Sequence, residues 1–296
     1  MQGKRPLLRK GRMFPEIFSP RELRAPIDAF VGGIVNEYSG LLRALTQPLL
    51  DLLVWMDQLL RESPWWLVIL VVAALAWFAS RRLVLPVVVA ALMFLLGLLG
   101  LWDASMQTLS IMIVAVVLSV CIGIPIGILM ASFNWLRSIM LPVLDVMQTM
   151  PSFVYLIPVV MLFNLGKIAA IIATVIYAVP PVIRLTDLGI RLVDSEVLEA
   201  SRAFGANKMK QLFGVQLPLA LPNIMAGINQ TTMMALAMVV IASMIGVRGL
   251  GYEVLQGINR LQVGRGLLAG LGIVILAIVF DRITQAFGRR YQYKEG

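Results

Sequence analysis

Six long stretches of this chain contain no aspartate, glutamate, lysine or arginine, and they restrict its fold more than any other feature. They cover residues 83–102, 104–136, 146–166, 168–183, 217–247 and 266–280. A helix that crosses a bilayer needs roughly 20 predominantly apolar residues. The stretches therefore predict membrane-spanning helices, and we expect an all-α polytopic membrane protein.

Seven segments are candidate spans, so about seven transmembrane helices are predicted. The candidates are 65–79, 83–101, 107–131, 139–163, 168–186, 218–245 and 267–286. The connections between them are brief, apart from the regions around 187–216 and 246–266.

The composition excludes several classes of site and partner. The chain is 59% hydrophobic and 14% charged, whereas soluble domains are about 45–50% apolar and about 25% charged. It has no histidine and one cysteine, so no disulfide framework and no metal site for zinc or haem are expected. Cys121 lies in an apolar run and is expected to be a small buried residue. The formal charge of +9 indicates membrane topology rather than nucleic acid, because most basic residues flank apolar spans.

A polar segment between the fifth and sixth candidate spans has the signals of a short helical hairpin. Asp194 and Ser195 are favourable N-cap residues, and Glu196 suits the first turn of a helix. Gly205 suits the left-handed conformation that ends a helix. A second short helix is predicted at about 207–214.

This hairpin is suited to contact another protein outside the bilayer. Glu199 and Arg202 lie three residues apart and can pair on one helix face. Ala200 and Ser201 are small, so a partner's surface can approach the backbone closely. The alternative is an ordinary solvated helix, which the Glu, Ala and Arg content alone would also suggest.

The chain then returns to the membrane at Leu217 and Pro218, since proline is tolerated in the first turn of a helix. A short helix, a glycine turn and a second helix would thus lead into the span 218–245. That geometry can transmit a push from a partner in the cytosol to a membrane helix.

The basic residues predict the orientation of the chain in the membrane. With the hairpin in the cytoplasm, that face carries twelve of them: Arg81, Arg82, Arg137, Arg184, Arg191, Arg202, Lys208, Lys210, Arg282, Arg289, Arg290 and Lys294. The opposite face carries four: Lys167, Arg248, Arg260 and Arg265. The C-terminus is then cytoplasmic. Seven spans place the N-terminus outside, although residues 1–63 contain nine basic residues; a miscounted span is the alternative.

The N-terminal tail contains an amphipathic segment. Leu49, Leu52, Leu53, Met56, Leu59 and Leu60 share one helical face, and Asp51, Gln58 and Arg61 lie on the other. This pattern predicts a helix that lies along the bilayer surface. A simple anchor without a regulatory role is the plainer interpretation.

Two clusters of uncharged polar residues interrupt the apolar stretches and are candidate linings of a solute pathway or gate. The candidates are Gln148, Thr149, Met150, Pro151, Ser152 and Tyr155 in the fourth span and Asn229, Thr232 and Met233 in the sixth. The three residues of the sixth span share one helical face. Hydrogen bonding between helices is the alternative role, because such residues commonly serve it in membranes. Gly123 with Gly127, and Gly266 with Gly270, permit close helix contact.

The energy for transport is expected to come from outside the membrane. Intramembrane charges are costly and are usually kept for ion or proton coupling, so their absence from the apolar stretches argues against an ion-driven carrier. Carbonyls and hydroxyls can also hold sodium, so a carrier is disfavoured without being excluded. The chain has no Gly-rich phosphate loop, so it is expected to bind no nucleotide or other cofactor and to be no enzyme.

The hairpin resembles a known motif. Residues 199–218 match Glu-Ala-(small)-x3-Gly-x9-(Val/Ile)-x-Leu-Pro, which is similar to the EAA loop through which an ATPase drives the permease of an ABC importer. Ser201 stands where the general motif has a second alanine.

Residues 104–287 resemble the permease domain of type I ABC importers, in the branch that handles glycine betaine, proline betaine, choline and related osmolytes. The segments that carry this resemblance are 145–155 (DVMQTMPSFVY), 177–181 (YAVPP), 184–189 (RLTDLG), 216–222 (QLPLALP), 224–230 (IMAGINQ), 240–246 (VIASMIG), 249–251 (GLG) and 281–282 (DR).

The resemblance implies a permease with a five-helix core and a cytoplasmic coupling helix formed by Glu199 and its neighbours, in a bacterial inner membrane. It implies a homodimer on two ATPase subunits, which would use ATP and magnesium, and a separate periplasmic or lipid-anchored binding protein. Alternating access would pass the solute inward. The implied domains are the tail 1–63, two accessory helices 64–103, the permease domain 104–287 and a cytoplasmic tail 288–296.

Three alternatives stay open. A type I ABC permease for another small solute, such as methionine or a phosphonate, would have the same EAA-like loop. An ion-coupled secondary carrier would have inverted repeats with broken helices, and its transport would be unaffected by loss of ATP. A membrane scaffold without a transport role would leave the uncharged polar clusters unexplained.

Overall fold

The computed structural model describes residues 20–290, except for part of the side chains between residues 20 and 45. Every regular element in this range is a helix. The first half contains α1 (Pro20–Glu62), α2 (Trp65–Ser80), α3 (Val84–Leu98), α4 (Trp102–Ser132), α5 (Asn134–Thr149) and α6 (Leu156–Phe163). The second half contains α7 (Lys167–Arg191), α8 (Ser195–Ala203), α9 (Lys208–Gln211), α10 (Leu217–Ile241), α11 (Leu250–Asn259) and α12 (Val263–Arg290). Residues 1–19 and 291–296, which belong to the predicted tails, lie outside the described residues.

By length and composition alone, fewer helices qualify as spans than the predicted seven. Four helices of the described chain are long and apolar enough to cross a membrane by themselves: α4, α7, the continuous helical stretch Lys208–Ile245, and α12. Two further pairs of helices qualify only jointly and are sharply bent, which raises the number to at most six. The predicted span 83–101 corresponds to α3, a shorter apolar helix of 15 residues.

The predicted fourth span, 139–163, is broken. Asn134–Thr149 and Ser152–Phe163 meet at an angle of 109°. Met150 has an extended backbone with ψ 133°, because the ring of Pro151 disfavours the helical conformation in the residue before it. An unbroken hydropathy run therefore concealed a corner.

The first predicted span, 65–79, is also part of a bent pair. Thr46–Glu62 in α1 meets α2 at 108°. The predicted apolar face of α1 is only partly buried: Leu53 is fully enclosed, whereas Leu52 and Leu59 stay exposed. Thus α1 lies across the direction of α2 and keeps part of its apolar surface free.

The centre of the core is α7, with α4 and α10 packed on it at short distance. Glycines permit this approach. A Cβ at Gly127 would lie 2.6 Å from the Cβ of Thr186, and one at Gly123 would lie 2.4 Å from a methyl of Val182. Helix α10 approaches α7 at the same residue, since a Cβ at Gly227 would lie 3.0 Å from the Cα of Val182.

The predicted close helix contact is therefore confirmed for Gly123 and Gly127. In the pair Gly266 and Gly270, only Gly266 lies near another helix. Gly266 lies beside α11, whereas a Cβ at Gly270 would meet no atom within 4 Å.

The prediction that Cys121 is buried is wrong: its side chain is exposed, because the buried face of α4 that carries Gly123 and Gly127 turns Cys121 outward.

The bundle has two distinct ends. The last turns of α4 and α7 pack against the start of α10 through Ala131, Ile190 and Ala220. The last turn of α12 joins them, since a Cβ at Gly288 would lie 3.6 Å from the Cβ of Met225. Helix α1 docks at the opposite end, where α4 and α7 begin. Its Asp57, 7% exposed, accepts hydrogen bonds from Ser110 Oγ at 3.3 Å and Lys167 Nζ at 3.1 Å. A buried carboxylate with two partners thus fastens α1 to the core.

Gly127→Ala is expected to destabilise the bundle, because the added methyl meets Thr186 and the Ile183 carbonyl oxygen at 2.6 and 2.7 Å. Overpacking of this kind costs about 1–3 kcal/mol. A thermal melt of the purified protein in detergent should show a lower midpoint than wild type. Gly270→Ala is the matched control, and equal midpoints for the two variants would contradict the close α4–α7 contact.

Candidate functional site

The hairpin forms as its local signals predict. Helix α8 begins at Ser195, and Asp194 Oδ1 accepts a hydrogen bond from the Glu196 N–H at 2.9 Å. Gly205 has φ +83°, the left-handed region that a residue without Cβ adopts at little cost. Its N–H donates to the Arg202 carbonyl at 2.8 Å. The predicted N-cap and glycine turn are confirmed.

The second helix is shorter than the predicted 207–214, but it does not stop before the membrane span. Four residues form α9, a π-helical turn (Leu212–Gln216) follows, and α10 continues without a gap. Pro218 directly follows the π-helical turn, a local adjustment that accommodates the helical hydrogen bond a proline cannot donate. The helical stretch Lys208–Ile245 is therefore continuous over 38 residues, so a displacement of the hairpin acts directly on the span.

Gln211 joins the two arms of the hairpin, a role that sequence reasoning missed. Its side chain is only 6% exposed, and its Nε2 donates to the Leu198 carbonyl at 2.8 Å and to Ser201 Oγ at 2.9 Å. Ser201 Oγ in turn donates to the same carbonyl at 2.8 Å. The serine that departs from the general motif is thus an acceptor in this clasp. The available signal in the sequence was the amide side chain of Gln211 within the second arm of a polar hairpin.

The outer surface of α8 is exposed. Glu199, Ala200 and Arg202 are exposed, and Glu199 and Arg202 do not form the predicted ion pair among the described residues. At the turn, Phe204 is 94% exposed and Met209 is 62% exposed. Two large apolar side chains beside small and charged ones make a surface suited to a protein partner.

A buried carboxylate anchors the root of the hairpin. Asp187, 3% exposed, accepts from Arg137 Nε at 3.0 Å and from Arg191 Nε at 2.9 Å. Arg191 also donates to the Met130 carbonyl and to Asn134 Oδ1, both at 2.9 Å. The last turn of α7 is therefore tied to α4 and α5 immediately before the chain enters α8.

The polar residues of the fourth candidate span lie at the corner between α5 and α6. Three of them are exposed, namely Gln148, Thr149 and Pro151, whereas Met150 and Ser152 are half-buried. Tyr155 is buried, donates its hydroxyl to the Met147 carbonyl, and has its ring centre 5.8 Å from that of Tyr177. The corner packs against α7 and α10, so the broken helix presents polar groups beside the central helices.

Asn229 is held between α10 and α12. Its Nδ2 donates to Asp281 Oδ1 at 3.2 Å, and its Oδ1 accepts from the Thr284 hydroxyl. Gln285 Nε2 donates to both oxygens of Asp281 at 2.7 Å. The alternative role of hydrogen bonding between helices is therefore present for Asn229. Asp281, a carboxylate inside α12, was not among the predicted site residues.

The other two predicted residues of the sixth span make no hydrogen bond to another helix among the described residues. The hydroxyl of the buried Thr232 donates to the Ile228 carbonyl at 2.8 Å, and Met233 is half-buried. Contact between these residues and a solute stays a prediction.

Comparison with known proteins decides the family. Residues 123–293 match the family model described as "Binding-protein-dependent transport system inner membrane component". The chain belongs to this family. It is accordingly a multi-pass inner-membrane permease subunit, and relatives that are 43–45% identical confirm the resemblance to the betaine branch of type I ABC permeases.

Two relatives show how far the similarity extends. The glycine betaine/proline betaine transport system permease protein ProW of Escherichia coli (strain K12) is 45% identical, covering 89% of this chain and 75% of its own. The glycine betaine transport system permease protein OpuAB of Bacillus subtilis (strain 168) is 43% identical, covering 88% and 92%.

A solved structure supports the fold alone. A chain of the MetNI methionine ABC transporter in an inward-facing conformation has a TM-score of 0.57 and 21% identity, covering 68% of this chain and 98% of its own. The permease fold of the type I importers is therefore confirmed. The identity is too low to support any inference about the solute.

Gln211→Leu is expected to loosen the hairpin, because the Leu198 carbonyl loses its donor from the second arm. A loss of one to two kcal/mol would make the closed state about five- to thirty-fold less favoured. Hydrogen exchange of the Phe204 and Ala206 amides should accelerate by that factor. Gln216→Leu is the matched control, since the Gln216 side chain makes no hydrogen bond among the described residues; similar acceleration in both variants would contradict the clasp.

Proposed function

We propose that this chain is the transmembrane subunit of an ATP-driven importer that passes a small betaine-type or quaternary ammonium solute into the cytoplasm. The observation that carries the proposal is the hairpin. Its first helix, α8, has an exposed outer surface, and its second arm continues as one helix into the span α10. The solute class is supported by the relatives, whose names specify glycine betaine and proline betaine at 43–45% identity over almost nine tenths of this chain.

In the proposed mechanism, α8 is the coupling helix that an ATPase subunit moves. Glu199, Ala200 and Arg202 are its exposed contact residues, and Phe204 and Met209 at the turn provide apolar area. Gln211 makes the two arms move as one piece, and the continuous helix through Pro218 carries the displacement into the membrane. The alternating-access cycle then follows from two arrangements of α7 and α10 around the solute.

The proposed assembly is a homodimer of this chain with two ATPase subunits and a separate binding protein. ATP and magnesium would be bound by the ATPase, so this chain would be a component of transport without a catalytic site. The family description names dependence on a binding protein, which supports that partner. Residues 104–287 would form the permease domain, with α2 and α3 as accessory helices.

We place the hairpin and the C-terminus in the cytoplasm. The end of the bundle that carries the hairpin also carries Arg137, Arg191, Arg289 and Arg290, in agreement with the bias of basic residues toward the cytoplasm. Helix α1 docks at the opposite end through Asp57, so the tail 1–63 would be external, along the bilayer surface.

Uptake into proteoliposomes tests this function. The permease is reconstituted with its ATPase and binding protein, and radiolabelled glycine betaine and choline are supplied with and without enclosed ATP. Accumulation that requires ATP is expected. Accumulation driven by an ion gradient without ATP would overturn the proposal in favour of a carrier. ATP-dependent uptake of methionine, with no uptake of either betaine or choline, would move the chain to another solute branch.

Glu199→Lys is expected to uncouple transport, because it reverses the charge on the exposed face that the ATPase would contact. Uptake should fall at least about tenfold, equivalent to 1.4 kcal/mol, while the variant keeps the wild-type melting midpoint. Glu62→Lys makes the same charge change at the opposite end and is the control. Unchanged ATP-driven uptake in Glu199→Lys would exclude this docking role.

A further inference from the structure

A concave pocket lies between the α2–α3 turn and the last turns of α12, away from the hairpin surface and the broken helix. Its volume is about 590 Å³, within the range of pockets that hold small ligands. Five arginines line it: Arg81, Arg82, Arg282, Arg289 and Arg290. The lining contains neither aspartate nor glutamate.

The positive charge of this arginine pocket is not neutralised by the described part of the chain. Every ion pair among the described residues involves other cations: Arg61, Arg137, Lys167, Arg184, Arg191 and Arg265. Five like charges around one cavity repel one another, and an anion inside the cavity relieves that repulsion. The ligand chemistry that fits is a phosphate or another compact anion, for which arginine offers several donors in a fixed plane.

Two of the arginines are oriented by aromatic rings. Arg81 stands over Phe78 at 5.6 Å from the ring centre, and Arg290 over the same ring at 5.2 Å. Arg290 also donates to the Phe78 carbonyl at 3.3 Å. Arg81 has φ +54°, a left-handed conformation that usually falls to glycine or asparagine and costs an arginine free energy. The α2–α3 turn thus holds an arginine at the pocket in a strained position.

The part of the pocket wall farther from the arginines is apolar. Val84 and Val88 of α3 are exposed, and Ile278 of α12 lies opposite them. These residues belong to helices that run into the bilayer, so a molecule with a charged head and hydrocarbon tails matches both parts of the lining. A soluble anion would leave this apolar wall uncovered.

We propose that the arginine pocket binds the headgroup of an anionic phospholipid from the leaflet on the hairpin side. Basic pockets between membrane helices recognise such headgroups, and the acyl chains follow the apolar groove. The lipid would bridge α2 and α3 to α12, which itself holds Asn229 of α10 through Asp281. An anionic lipid would therefore brace the accessory helices against the core.

The test uses the intact permease–ATPase complex, purified in detergent and studied by native mass spectrometry. Phosphatidylglycerol and phosphatidylcholine with the same acyl chains are titrated separately. The pocket variant is Arg82→Gln/Arg289→Gln, which leaves both arginines over Phe78 in place. The control is Arg248→Gln/Arg260→Gln, which removes the same charge at the opposite end. A further variant, Arg82→Lys/Arg289→Lys, keeps the charge and checks the pocket variant for misfolding.

Wild type and the control are expected to retain phosphatidylglycerol in preference to phosphatidylcholine. The pocket variant should bind phosphatidylglycerol roughly ten- to thirty-fold more weakly, since each basic residue near an anionic lipid surface raises the affinity about fivefold. The lysine variant should recover most of the binding. Equal binding of the two lipids, or equal losses in pocket and control variants, would overturn the proposal. Displacement of phosphatidylglycerol by inorganic phosphate would instead identify a soluble anion. Because no transport is measured, failure here leaves the proposed function intact.

Discussion

The close approach of α4 and α10 to α7 is the contact on which the rest of this structure depends. Lipid tails are as apolar as the helix surfaces, so association in a membrane depends on close packing and on polar contacts rather than on the hydrophobic effect. Gly123, Gly127 and Gly227 leave no space for a side chain against α7. With these three helices in place, the ends of α7 and α10 define where the hairpin leaves and re-enters the bundle.

Among the described residues, charged side chains occur at the ends of this packed unit, in the interhelical cluster around Asp281 and in the ion pair between Arg184 of α7 and Asp145 of α5. Asp57 at one end and Asp187 at the other are both nearly inaccessible, and each is satisfied by cations and hydrogen-bond donors from neighbouring helices. Inside α12, Asp281 is satisfied by the amides of Asn229 and Gln285. A buried carboxylate without such partners would be strongly unfavourable, so each one specifies which helices must meet.

The sequence predicted the hairpin well and the polar clusters only in part. Asp194 and Gly205 act on neighbours within a few residues, so their cap and turn could be recognised locally. The corner at Met150 was concealed in an apolar run, although Pro151 was its signal. The partners of Gln211 and Asn229 lie 10 to 55 residues away in the chain, and no local pattern names them.

What the sequence determined by itself is the class of protein, most of the helical segments and the polar hairpin, because hydropathy, periodicity and capping depend on residues close together in the chain. Only the tertiary structure decided that the helical arm continues unbroken into α10, that Gln211 locks the hairpin and that Asn229 bonds to α12. It also decided that five arginines from the α2–α3 turn and α12 surround one cavity. These features depend on which helix faces meet, and that is set by the packing of side chains from distant segments.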